Sequence, residues 1–248
     1  CYYRPKAFDV VINEILADPE PNAGLPDGEF VELYNRTGFP INLYGWTFSY
    51  GSSTKSFPSV TIKPQGFLLI ARESLYLNYG PCVMLFTSSS SLSNEGSLLT
   101  LRDPRGHVIH SVSYSPGWFG DSFKKEGGWS LEMIDPGNPC GCGENWGPSQ
   151  ATKGGTPGKT NSVCKSNPDL LPPVLARALI VDSITAEAWF SETMDSLSLA
   201  GNLNWTVAAP EKVFHPVRVE MISPGYSSVR LIFAQPFERR MQYRLFVP

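Results

Sequence analysis

Between Gly28 and Asn35 the chain alternates residue types with a period of two: Val31 and Leu33 fall on one face, Phe30, Glu32 and Tyr34 on the other. This is the period of a β-strand whose faces meet different surroundings. The polar stretch 35–40 breaks the pattern ahead of a second short strand carrying Trp46. The two are expected to pair as a hairpin at the centre of a β domain. Further strand-like runs fall at 9–16, 47–50, 57–62, 67–71, 83–86, 97–102, 108–114 and 129–133. The run Phe67-Leu68-Leu69-Ile70-Ala71 is apolar throughout and suits a strand covered on both faces. Asp103-Pro104-Arg105-Gly106 predicts the turn between two of these strands, since Pro presets φ and Gly accepts a positive one.

Helical signals are few: about two turns over 72–79, closed by Gly80, and one turn over 195–202. From 135 to 161 the chain is nearly all turn-forming residues, with Trp146 as its large anchor. A Pro-rich linker is expected over 165–172, after which alternation restarts. Ile184 to Phe190 reads as one strand, and Val217, Val219 and Met221 line another. Val229, Leu231 and Phe233, then Tyr243, Leu245 and Val247, repeat the pattern, which suggests a small sandwich. The expected division is a first β domain over 1–164 and a second over 173–248, the latter read as cut short at its C-terminal end.

Composition narrows the field. In 248 residues, 22 Gly and 22 Pro favour turns over long helices. The formal net charge of -3, without a Lys/Arg cluster, argues against nucleic acid as a partner. No apolar run reaches the length of a membrane-spanning helix, so no membrane span is expected. Cys1 reads as a boundary of an excised or mature piece, with a lipid-bearing first residue as the other reading.

Several stretches, in order, carry a resemblance: Asn13-Glu14-Ile15, Glu29 to Asn35, Leu43-Tyr44-Gly45-Trp46, Pro64 to Ala71, Leu92 to Gly96, Leu101-Arg102-Asp103 with Gly106, and Trp129-Ser130-Leu131-Glu132. Asn145-Trp146 and Gly154-Gly155-Thr156-Pro157-Gly158 with Asn161-Ser162 complete it. Residues 9–163 thereby resemble a lamin tail domain of the bacterial exported type. The resemblance implies an immunoglobulin-like β-sandwich without an active site, a partner-binding tail in nuclear lamins and a module of exported multidomain proteins in bacteria. The second domain is similar to the short Ig-like modules of bacterial surface proteins, on Ala188 to Asp195, Asn204-Trp205-Thr206 and Tyr243 to Val247. The fold class expected is therefore all-β, two consecutive immunoglobulin-like β-sandwiches.

Candidate chemistry is sparse. Gly154 to Thr160 lacks the first glycine of a phosphate loop, where Lys153 stands, and Pro157 opposes the helix such a loop needs, so it reads as a turn. Asp18, Glu20, Asp27 and Glu29 give an acidic loop that could supply oxygen ligands to calcium, although at no EF-hand spacing. Glu14 and Glu32 invite a paired-carboxylate reading, yet both lie inside strands and are expected to serve structure. His107, His110 and His215 fit no nucleophile arrangement. Cys82, Cys140, Cys142 and Cys164 are disulfide candidates in an oxidising compartment, with Cys140 and Cys142 too close to bridge each other. Tyr114, Trp118 and Phe119 form an aromatic candidate face, with Trp118 either a ligand-stacking ring or a loop anchor that packs back.

The expected function is non-catalytic: structural or interaction modules of a secreted, periplasmic or cell-surface bacterial protein, serving adhesion, spacing or positioning of a neighbouring domain. A carbohydrate-binding accessory module, or an appendage to a secreted hydrolase or nuclease in a longer parent chain, is the alternative. The expected partner is an extracellular protein or glycan, the chain a monomer, and no cofactor is required apart from the calcium reading.

Overall fold

A computed structural model describes the chain except for residues 1–2, 73–75, 142, 193, 195–198, 200, 211, 223–226 and 248. It divides into two compact units, Cys1–Asp169 and Leu170–Pro248. Each is an immunoglobulin-like β-sandwich.

The strands of the first unit are β1 (Val10–Leu16), β2 (Phe30–Asn35), β3 (Ile41–Asn42), β4 (Thr47–Tyr50), β5 (Ser53–Ser56) and β6 (Thr61–Ile62). They continue with β7 (Phe67–Ala71), β8 (Cys82–Met84), β9 (Ser97–Arg102), β10 (Val108–Tyr114), β11 (Leu131–Met133) and β12 (Trp146–Pro148). One sheet has the order β12-β11-β1-β2-β7-β8 and the facing sheet β10-β9-β4-β5, with β3 and β6 as a small separate pair. The hairpin expected between the Phe30 strand and the Trp46 strand does not form. β2 pairs with β1 and β7, whereas β4, which starts just after Trp46, pairs with β5 and β9 in the other sheet. Both segments are strands, as their alternation predicts. That alternation is set by the shared core between sheets and cannot distinguish a hairpin from a crossover.

The core holds Val31 and Leu33 of β2 together with Trp46, Phe48, Leu99, Leu101 and Trp146. The opposite face of β2 is buried as well: Phe30 packs with Leu16, Leu25, Leu69, Ala71 and Tyr76 in a second, smaller cluster. The large sheet is thus covered on both faces, which explains the unbroken apolar run of β7. Asp103 to Gly106 makes the expected turn: Gly106 has φ +83° and donates its N–H to Asp103 O at 2.9 Å, closing the β9–β10 hairpin. The strand expected over 57–62 shortens to Thr61–Ile62, since Pro58 has no N–H to give to a ladder. The helix expected over 72–79 falls partly outside the described residues; its C-terminal part is a turn in which Tyr79 N–H donates to Tyr76 O.

The cysteine candidates fall in different places. Cys82, half-buried on edge strand β8, and exposed Cys164 are free thiols. Cys142 lies outside the described residues.

The second unit comprises β13 (Leu175–Ile180), β14 (Thr185–Phe190), β15 (Thr206–Ala209), β16 (Lys212–Phe214), β17 (Arg218–Met221), β18 (Ser228–Ile232) and β19 (Arg244–Phe246). Its sheets run β13-β14-β18-β17 and β16-β15-β19. Trp205 is fully buried at the centre, its indole N–H donating to Leu199 O at 3.0 Å and its ring edge-on to Phe190. The helical turn expected over 195–202 falls largely outside the described residues.

Candidate functional site

The antiparallel register of β11, β1 and β2 sets Glu132 opposite Glu14 and Glu14 opposite Glu32. Period two places Glu14 on the same side of β1 as Leu16, and Glu32 on the same side of β2 as Phe30. The result is a row of three glutamates across adjacent strands, all with no exposed surface. Side by side and unpaired, three such carboxylates would cost several kcal/mol each. Residues 154–163 remove much of that cost by lying across the row as a strap.

The strap binds through donors. Thr156 N–H donates to Glu14 Oε1 at 2.8 Å and Gly158 N–H to Glu32 Oε2 at 2.5 Å. Ser162 Oγ donates to Glu132 Oε2 at 2.8 Å, joined by Val163 N–H at 3.1 Å, while Thr156 Oγ1 lies 2.9 Å from Glu132 Oε1. From the sheet itself, Ser130 Oγ donates to Glu14 Oε1 at 2.6 Å and Asn13 Nδ2 to Glu32 Oε1 at 3.0 Å. Asn161 locks the end of the strap: its Nδ2 donates to Asn13 O and Met133 O, and its Oδ1 accepts from Asn13 Nδ2. Among the described residues no buried side-chain nitrogen or oxygen lacks a partner. The glycines are required by closeness. A Cβ on Gly155 would stand 2.6 Å from Glu14 Oε1, and one on Gly158, at φ +76°, would strike Tyr79 O.

Burial, with Glu132 alongside, pushes Glu14 up to about 8 despite its hydrogen bonds to Ser130 and Thr156. Glu32 is also held well above the ordinary carboxylate range, by burial first and then by Glu14. On the inner side of the same strand, His110 Nδ1 accepts the Ile12 N–H at 2.9 Å, and burial pushes this imidazole down to about 4.

Residues 4–116 match the family model of the Lamin Tail Domain. No curated protein matches the chain. The lamin-tail match contains Glu14 and Glu32 but ends before β11, β12 and the strap, so Glu132, Thr156 and Asn161 lie beyond it. Such domains are non-catalytic and immunoglobulin-like, and the glutamate row agrees with that, because its oxygens are consumed within the fold.

The aromatic candidates sit beside, not on, this row. Tyr114 is buried and donates its hydroxyl to Ser93 O at 2.7 Å. Trp118 is half-buried, stacks on Trp146 at 5.9 Å between centroids and lies against Gly143, where a Cβ would collide with its indole ring. Phe119 and Tyr114 line a small pocket of about 40 Å³ whose rim carries Asp18, Asn94 and Lys125.

The acids of the calcium reading, Asp18, Glu20, Asp27 and Glu29, have these places in the structure; among the described residues no group of three His, Cys, Asp or Glu is arranged to hold a metal ion. Asp18 accepts from Asn94 Nδ2 at 2.7 Å, and Glu20 accepts the Asn22 N–H. Asp27 and Glu29 do meet, at a separate pocket of about 150 Å³ shared with Arg72, Ser88 and Ser89. There Glu29 accepts the Ser91 N–H at 2.6 Å and the Leu92 N–H at 3.2 Å, and burial pushes it up to about 7. Glu20 closes a local turn whereas Glu29 binds a distant loop, a division of hydrogen bonding that sequence alone cannot place. His107 and His110 serve different partners, Asp103 and Ile12 respectively. Sequence reasoning does not find the strap as a site. Its signal is nonetheless present in Gly154 to Gly158, a run rich in backbone donors whose anion is supplied by the protein itself.

Proposed function

We propose that the chain works as a pair of non-catalytic structural and interaction modules from an exported or cell-surface bacterial protein, serving adhesion, spacing or the positioning of a neighbouring domain. The observation that supports this most is the state of Glu14, Glu32 and Glu132: the residues with the chemistry for hydrolysis are covered by the strap and bonded to it. The second unit fits the same reading as an Ig-like surface module, a sandwich organised on Trp205. Among the described residues no helix is long and apolar enough to cross a membrane. The test is a panel of glycoside, phosphodiester and peptide substrates, run on the wild type and a Glu14→Gln/Glu32→Gln variant. Turnover is expected to be at background for both; turnover present in the wild type and lost in the variant overturns the proposal.

A second reading, a carbohydrate-binding accessory module, draws on the aromatic excursion. Besides Trp118 it presents Phe123, 74 % exposed, and Trp129 under the Lys124 ammonium at 4.4 Å. Rings with one open face stack on sugars. Binding on a glycan array that Trp118→Ala abolishes would favour this reading, and binding that Trp118→Ala leaves intact would remove it.

A further inference from the structure

The hydrogen bonds around Thr156 do not close if all three glutamates are ionised. Thr156 Oγ1 stands 2.9 Å from Glu132 Oε1 and 3.5 Å from Glu14 Oε2. A hydroxyl has one proton and donates once. Given to the nearer Glu132 oxygen, that proton leaves Thr156 Oγ1 an acceptor toward Glu14. Glu14 Oε1 already receives two donors, from Ser130 and from the Thr156 amide. A proton on Oε2 therefore turns a repulsive lone-pair contact at 3.5 Å into an attractive one.

We infer that Glu14 is held as a neutral acid whose Oε2 proton is donated to Thr156 Oγ1, making the glutamate row a proton-dependent clasp that loosens the strap when Glu14 ionises. The chain of donation runs Glu14 to Thr156 to Glu132, with one carboxylate at its end rather than two facing each other. Every group that faces Glu14 agrees. Glu132 and Glu32 flank it on the neighbouring strands, Ser130 and Thr156 bond to it, and the phenol of Tyr76, in the segment after β7, is raised in part by Glu14. None is cationic, and among the described residues no Lys, Arg or His forms an ion pair with any of the three glutamates. A lone cluster of anions without a counter-charge relieves itself by taking up a proton. The upward shift of Glu14 to about 8 has the same cause. Because the folded value lies above the ordinary 4.5, the stabilisation is complete below about 4.5 and is lost as pH rises through about 8.

The strap supplies its own reporter, since Lys159 is exposed on it and Lys153 is exposed immediately before it. Limited trypsin cleavage of the intact chain after these two lysines, normalised to a small peptide substrate, measures strap opening. For the wild type the opening constant is expected to rise about thirtyfold from pH 6.5 to pH 9.5. In Glu14→Gln the amide nitrogen takes the place of the protonated oxygen, and cleavage is expected to lose most of that rise, the remainder belonging to Glu32 under Gly158. An unchanged rise in Glu14→Gln, or no rise in the wild type, overturns the inference. Should the variant not fold, the 13C carboxyl resonance of wild-type Glu14 decides: a neutral-acid shift at pH 6.5 supports the clasp, and an ionised shift there overturns it.

Discussion

The two units solve one architecture in different ways. In the first, β1 is buried at all seven positions and β2 at five of six, because the large sheet has a core on one side and a second layer on the other. In the second, edge strand β13 has no fully buried residue, and β14 alternates between buried and half-buried. The first unit therefore spreads its stability over two apolar clusters and a buried polar network, whereas the second concentrates it in a single cluster around Trp205. Doubly covering a sheet brings polar side chains into the interior, and these must then be matched one to one.

The largest effect should come from the concentrated core. Trp205→Ala removes the central ring and the indole bond to Leu199 and is expected to cost the second unit about 3–5 kcal/mol, sufficient to unfold much of it. Two-transition calorimetry would show the first unit's transition in place; a loss shared by both would break the contrast drawn between them. Next comes the polar network of the first unit. Asn161→Ala strands Asn13 and Met133 groups in the interior and is expected to cost about 2–4 kcal/mol. Asn161→Asp should be no milder, since it places a fourth acid near the row. Urea denaturation of all three proteins checks the order.

How far these differences are readable in the sequence depends on what each residue's role needs. The strands, the Asp103–Gly106 turn and the split into two β units follow from period and turn chemistry, which are local. The pairing of β2 with β7 rather than with the Trp46 strand is not local, and alternation is blind to it. Glu14 and Glu32 stand out as a pair and are legible as structural, but the third member, Glu132, lies a hundred residues further on and enters only through the β1–β11 register. The acids 18 to 29 show the opposite limit: their nearness in sequence does not reveal their partners, Asn94 for Asp18, Asn22 for Glu20 and Ser91 for Glu29.

The pH response sharpens the contrast at smaller scale. In the first unit Glu14 stabilises progressively as pH falls from about 8 to about 4.5, whereas His110, depressed from 6.5 to about 4, contributes fully above about 6.5 and loses its contribution as pH falls toward 4. Glu32 and Glu29, also raised by burial, act in the same sense as Glu14, so this unit is expected to be more stable at pH 5 than at pH 8.5, by at least about 2 kcal/mol. The second unit's shifted groups, Asp182 and Arg230, are at the surface, and its transition should move little over that range. A first-unit melting temperature that rises from pH 5 to pH 8.5 would contradict this.

The smallest effect tests whether the aromatic excursion belongs to the covered faces or to the outside. Trp118 keeps part of its surface in water while its ring lies on Trp146 and against the Gly143 backbone. If packing is its work, Trp118→Ala should lower the first unit's stability by about 1–2 kcal/mol, less than a full core truncation because the ring is only half-buried. Trp118→Phe should restore part of the loss, since a smaller ring still reaches Trp146. A ring kept for a ligand behaves in the reverse way: truncation would spare the melting temperature and abolish binding. Measured together, melting and glycan binding of these two variants place Trp118 on one side of the comparison, as a third covering element beside the second apolar layer and the strap, or on the other, with the exposed surface that the second unit carries along β13.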